Sequence, residues 1–154
     1  GYGSSFALMK DAGTNRYYIY KFKAAGQKVA GYEVNKSLAT DIDKAELFAF
    51  ASNRSILLYV VGKTLYAYDY KRGYEKKYSV ELEDEITMVK FDIFSGYGDY
   101  NDLYVATYNS TMRGTLQKYV LGTDQNTFEL KPDEKCKWNG LVKVKDIDWK
   151  NGVQ

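Results

Sequence analysis

One segment predicts most of the fold: Leu58-Tyr59-Val60-Val61-Gly62-Lys63-Thr64-Leu65-Tyr66-Ala67-Tyr68. Two runs rich in Leu, Val and Tyr flank Gly62-Lys63, and this combination predicts a β-hairpin with a two-residue turn. The same phrase returns at residues 103–108 and 115–119, and in a looser form at residues 6–9 and 17–20. Copies spaced by roughly 45 to 50 residues indicate repeated four-stranded units.

The segments between the hairpins complete these units. Strands are predicted at 47–50, 56–61, 64–70 and 78–82 in one unit, and at 86–91, 102–108, 115–121 and 127–131 in the next. An earlier unit has strands at 6–10, 16–22 and 29–34 but lacks a first strand, while residues 142–149 resemble a first strand without a unit. We therefore predict one all-β domain over residues 1–154, with units at about 6–38, 45–82 and 86–131 and a spare strand at 142–149.

Composition narrows the function classes. The chain contains 16 Tyr and one Pro among 154 residues, which favours sheet over disorder. Its 22 basic and 20 acidic side chains give a net charge of +2 without a basic stripe, so we expect no nucleic-acid partner. His is absent, which removes the commonest general base and metal ligand, and Cys136 stands alone. We expect no cofactor and no metal, and no apolar run is long enough to span a bilayer.

The order of the strands carries a resemblance to known proteins. With Leu-Tyr-Val in the second strand and Leu-Tyr-Ala-Tyr-Asp at residues 65–69 in the third, the units resemble β-propeller blades, which implies antiparallel four-stranded units arranged as a partial β-propeller. The Tyr-rich blades are also similar to the C-terminal region of PKD-like bacterial surface lipoproteins. That resemblance implies a location in the periplasm or at the bacterial cell surface, and binding of a glycan or a protein.

Two acidic segments are candidate ligand-binding sites. Glu83, Asp84 and Glu85 lie between two predicted units, and Asp41 and Asp43 occupy the same place one unit earlier. In a propeller both segments lie on the same side of the ring, where carboxylates can bind a ligand or, as a pair, hydrolyse a glycoside. The alternative is a pair of solvated turns, because charge runs are usually exposed faces.

A long predicted loop at residues 94–101 is the second candidate site. Tyr97 and Tyr100 flank Asp99, and exposed aromatic rings beside a carboxylate can stack on a sugar and bind its hydroxyls. The alternative is a local Tyr cluster that covers the edge of a sheet.

We expect a non-catalytic binding or scaffold domain of a bacterial envelope protein, because no nucleophile–base pair is recognisable. One alternative is a fragment of a carboxylate-based glycoside hydrolase or lyase, and another is a purely structural interaction module. The missing and spare strands leave three arrangements open: the chain is part of a longer propeller, residues 142–149 fold back onto residues 6–10, or two chains exchange these strands as a dimer.

Overall fold

The computed structural model describes residues 4–23, 25–51, 55–73, 77–92, 102–121 and 129–148. These residues form strands with one short helical segment, and the all-β prediction is confirmed. The strands are β1 (Ser4–Asp11), β2 (Arg16–Lys23), β3 (Lys28–Glu33), β4 (Leu47–Ala51), β5 (Ile56–Val61), β6 (Thr64–Asp69), β7 (Lys77–Glu81), β8 (Glu85–Phe91), β9 (Asp102–Asn109), β10 (Arg113–Leu121) and β11 (Leu130–Leu141).

The strands form three antiparallel sheets, each built from neighbours in the chain. Sheet 1 has the order β1-β2-β3, sheet 2 the order β4-β5-β6-β7, and sheet 3 the order β8-β9-β10-β11. In sheet 2, Val61 pairs with Thr64, so Gly62 and Lys63 form the predicted two-residue turn. Gly62 has a φ of 61°, a conformation that favours glycine because other residues have a Cβ that crowds the backbone.

Sheet 2 lies between the other two sheets. One of its faces joins sheet 3 in a hydrophobic core, the 2–3 core, which includes Leu58, Val60 and Leu65 with Val89 and Leu103. The opposite face joins sheet 1 in a second core, the 1–2 core: Ile19, Val34, Leu38, Ile42, Leu57, Tyr59, Tyr68 and Tyr70. Since side chains alternate along a strand, β5 supplies residues to both cores, and its prediction as a strand buried on both faces is confirmed.

A short helical segment closes one end of the 1–2 core. The Asn35 side chain accepts a hydrogen bond from the Ser37 backbone nitrogen at 3.0 Å and begins a 3-10 turn, Lys36–Leu38, followed by helix α1, Ala39–Lys44. Leu38 and Ile42 are buried. The Asn35 cap fixes where this helical segment begins, and Ile42 faces the core.

The last strand of sheet 3 differs from its prediction. Its expected span was 127–131, of which 127 and 128 lie outside the described residues; the structure instead continues β11 to Leu141. Gln117 pairs with Lys137 and Tyr119 with Pro132, so residues 133–136 bulge out between these pairs. Pro132 is tolerated because an outer strand has a pairing partner on one side only.

The predicted spare strand over 142–149 is wrong for its described part, because residues 142–148 contain no strand. They lie against sheet 3 instead. Lys90 on β8 donates hydrogen bonds to the Asp146 carboxylate at 3.0 Å and to the Ile147 carbonyl at 2.6 Å. The Lys143 ammonium lies 5.4 Å from the centre of the Tyr108 ring. Residues 142–148 therefore lie at sheet 3 and do not pair with β1.

Candidate functional site

The earlier acidic segment has a structural partner in sheet 1. Asp43 at the end of α1 accepts hydrogen bonds from Lys10 at 2.9 Å and from the Tyr17 hydroxyl. These hydrogen bonds, first that of Tyr17 and then that of Lys10, lower the pKa of Asp43 below its ordinary value. Burial and the bond to Asp43 raise the pKa of Tyr17 to about 12. The contacts tie the helix to sheet 1, and Asp41 lies on the same helix.

The later acidic segment forms the connection between β7 and β8. It is held against the hairpin turn of sheet 2, because the Leu82 nitrogen donates to the Lys63 carbonyl at 2.8 Å and the Ile86 nitrogen donates to the Gly62 carbonyl at 3.1 Å. Glu83 and Asp84 line one groove, while Glu85 lines a different cleft. The three predicted carboxylates therefore do not share a single site.

The groove beside Glu83 and Asp84 is a continuation of the inner face of sheet 3. Alternate residues of β10 face it, and their partners on β9 are Thr107 and Val105. The volume of the groove is about 330 Å³. We call it the amide groove, since three amide side chains line it together with carboxylates, hydroxyls and a lysine; its lining includes Glu83, Asp84, Thr107, Asn109, Met112, Thr115, Gln117, Tyr119, Lys137 and Asn139.

Hydrogen bonds fix several of these side chains. Asn109 donates to the Asp84 carboxylate at 3.0 Å, and its own oxygen accepts from the Thr111 nitrogen at 3.0 Å. Gln117 is buried and donates to the Asp133 carbonyl at 2.8 Å, so it holds the bulge of β11 in place. Asn109 and Gln117 therefore form a preorganised wall of the groove.

Other polar groups of the groove remain open to a ligand. The oxygen of Asn139 accepts from the Thr115 hydroxyl at 3.2 Å, which leaves its amide NH2 without a partner among the described residues. Glu83 and Lys137 are exposed and form no ion pair within the described part of the chain. Burial raises the pKa of Tyr119, so its hydroxyl stays protonated and can donate at neutral pH.

Glu85 lines a second cleft, of about 460 Å³, where the start of β8 meets the end of α1. Its charged lining is Lys44, Glu46, Glu85, Lys143 and Lys145, three cations and two anions. Residues 44–46 thus come close to Glu85, but Asp41 and Asp43 do not line this cleft. The earlier acidic segment therefore approaches the later one only through residues 44–46, which follow Asp43.

The second predicted site, at Tyr97, Asp99 and Tyr100, lies outside the described residues. Trp138 is 46 % exposed on β11. In the described part of the chain no group of three or more acidic or Cys residues is placed to hold a metal ion. No helix among those residues is long and apolar enough to cross a membrane.

The sequence did not point to the amide side chains of the groove. Thr115, Gln117 and Tyr119 alternate along β10 on the face of sheet 3 that packs toward sheet 2, and the side of β6 that packs toward sheet 3 supplies Leu65 and Ala67 to the core. Polar residues at core-facing positions of a central strand are the one signal that could have marked this groove.

Comparison of this chain with protein-family models, with curated proteins and with solved structures finds no significant match.

Proposed function

We propose that the chain is a non-catalytic binding domain whose amide groove takes a hydroxyl-rich ligand of the glycan class. The observation that carries this proposal is the lining of the groove. Amide groups both donate and accept hydrogen bonds, and carboxylates accept them, which together suit sugar hydroxyls. The Tyr119 ring and the Met112 side chain add apolar contact area beside these polar groups.

The three-sheet arrangement supports a wider proposal about the fold. We infer a propeller-type stack, because one three-stranded and two four-stranded antiparallel sheets follow one another in the chain and pack face to face. We also propose a binding or scaffold role in the bacterial envelope, at the periplasm or cell surface. This part of the proposal rests on the resemblance of the Tyr-rich units to PKD-like surface lipoproteins. Binding loops on a rigid sheet scaffold are a common arrangement.

A screen of immobilised glycans, followed by calorimetric titration of the best-bound glycan, tests the groove. Lys137→Ala or Asn139→Ala should weaken binding roughly tenfold, since each removes a hydrogen-bond donor to the ligand. Lys135→Ala is the matched control: its backbone nitrogen bonds Asp133, its side chain is exposed, and it does not line the groove. Absence of binding to every glycan, or equal effects of the test and control variants, would contradict the proposal.

A second candidate function is cleavage of a glycosidic bond by carboxylates, as in a glycoside hydrolase or a lyase. Glu83 and Asp84 line the same groove, as a pair of acidic groups in such an enzyme would. Release of reducing ends from the bound glycan, lost in Glu83→Gln while binding persists, would establish this function. Binding without release would leave the non-catalytic proposal in place.

A further inference from the structure

The cleft beside Glu85 is a second cavity, separate from the amide groove, and every residue of its lining belongs to the described part of the chain. The end of α1 and sheet 2 supply part of this lining, the first residues of β8 supply another part, and the C-terminal segment supplies two lysines. The cleft has a volume of about 460 Å³. We call it the lysine cleft, after Lys44, Lys143 and Lys145.

The charged side chains of the lysine cleft do not neutralise one another. Lys44, Lys143 and Lys145 are exposed and form no ion pair with any described residue. The same holds for the two carboxylates of the lining, Glu46 and Glu85. Because the cations outnumber the anions, the lining has a net positive charge that no neighbouring group within the described residues compensates.

Contacts with sheet 3 hold the C-terminal lysines in place. The Lys143 ammonium lies 5.4 Å from the centre of the Tyr108 ring. On the other side of Lys145, Lys90 donates hydrogen bonds to the Asp146 carboxylate and to the next backbone carbonyl. Lys145 is therefore held between two anchored positions, so less conformational entropy is lost when its ammonium binds a ligand.

The wall of the lysine cleft contains a β-bulge with an unpartnered hydroxyl. Ile86 pairs with Thr107 and Met88 pairs with Ala106, so Thr87 is the extra residue of β8. Bulges are frequent next to functional sites, because they redirect a side chain. Thr87 lines the cleft, while its hydroxyl oxygen is buried and has no hydrogen-bond partner among the described residues. Rotation of its χ1 angle toward the cleft would let this hydroxyl donate to a bound acceptor.

We propose that the lysine cleft binds one oxyanion group, a carboxylate, sulfate or phosphate, through the ammonium groups of Lys44, Lys143 and Lys145 and the hydroxyl of Thr87. Oxygen atoms of such groups accept charge-assisted hydrogen bonds from ammonium groups, and these are stronger than hydrogen bonds between neutral groups. The two carboxylates of the lining repel an anion, so they lower its affinity. The site does not depend on the proposed function of the amide groove.

Titration of the chain with sodium acetate, sulfate and phosphate, followed by NMR of the backbone amides, tests the site and distinguishes the three anions. We expect saturable shifts of the Gly62 and Thr87 amide signals with at least one of them, since both residues line the cleft. Sodium chloride at the same ionic strength should give only small shifts without saturation. Absence of saturable shifts at these residues with all three anions would overturn the proposal.

Variants that change one charge test which groups bind the anion. Lys44→Gln and Lys145→Gln should each weaken binding roughly fivefold, and Glu85→Gln should strengthen it by a similar factor, because it removes a repelling carboxylate. Lys131→Gln is the matched control, since it makes the same change of charge at an exposed position of β11 outside the cleft. Equal weakening in Lys131→Gln, or weaker binding in Glu85→Gln, would contradict the proposal.

Thr87→Val tests the role of the hydroxyl separately from the charges. Binding of the anion should weaken roughly threefold, since the variant lacks the donor. The free energy of unfolding in urea without the anion should not fall, because the hydroxyl has no partner there. Unchanged binding in Thr87→Val would remove Thr87 from the site and overturn this part of the proposal.

Discussion

At the scale of single residues, two buried Tyr residues differ in whether the hydroxyl group has a hydrogen-bond partner. Tyr59 and Tyr68 are both almost fully buried in the 1–2 core. The Tyr68 hydroxyl accepts a hydrogen bond from the Asn35 backbone nitrogen at 3.2 Å, whereas the buried Tyr59 hydroxyl has no partner among the described residues. Burial raises the pKa of both groups, so both are protonated near neutral pH. The hydroxyl group of Tyr68 therefore stabilises the fold, whereas that of Tyr59 destabilises it.

Replacement of each residue by Phe tests this difference. Tyr68→Phe should lower the free energy of unfolding by about 1 kcal/mol, because it leaves the Asn35 nitrogen unpaired. Tyr59→Phe should leave that free energy unchanged or raise it by up to about 1 kcal/mol, since it removes a buried group without a hydrogen bond. Urea denaturation of both variants measures the two changes. A larger loss in Tyr59→Phe than in Tyr68→Phe would show that the Tyr59 hydroxyl has a partner.

At the scale of secondary-structure elements, local sequence patterns correctly predicted the strands whose positions depend on nearby residues. The turn residues Gly62-Lys63 and the alternation around them placed β5 and β6 correctly. The extension of β11 escaped prediction because it depends on Gln117, a side chain on another strand that holds the bulge at residues 133–136. Residues 142–148 alternate like a strand, but contacts with Lys90 and Tyr108 hold them against sheet 3. The amide groove was missed for a similar reason, since three separate segments build it.

A substitution at Gly114 tests the placement of residues 142–148 against sheet 3. A Cβ at Gly114 would lie 2.1 Å from the Val142 carbonyl oxygen, a clash with backbone that cannot relax by rotating a side chain. Gly114→Ala should therefore lower the free energy of unfolding by about 2 kcal/mol. Gly13→Ala is the control, because a Cβ there would be 3.4 Å from the nearest atom and should be tolerated. Equal stability of the two variants in urea denaturation would show that residue 142 does not cross sheet 3 at Gly114.

At the scale of the whole molecule, the order of the sheets determines where each surface lies. Sheet 2 contributes to both hydrophobic cores, whereas each outer sheet contributes to one of them. The amide groove lies at sheet 3, beyond the connection from β7 to β8. The stack therefore places the candidate ligand site at an outer sheet.

Contacts between sheets, observed by NMR through nuclear Overhauser effects, test this stack most directly. We expect cross-peaks between the rings of Phe6 and Phe50 and between those of Tyr32 and Tyr70, whose centres are 5.6 Å and 5.0 Å apart across sheets 1 and 2. We also expect cross-peaks between methyl groups of sheet 2 and methyl groups of sheet 3 within the 2–3 core. Cross-peaks within each sheet without any between sheets 1 and 2, or between sheets 2 and 3, would contradict the stacked arrangement.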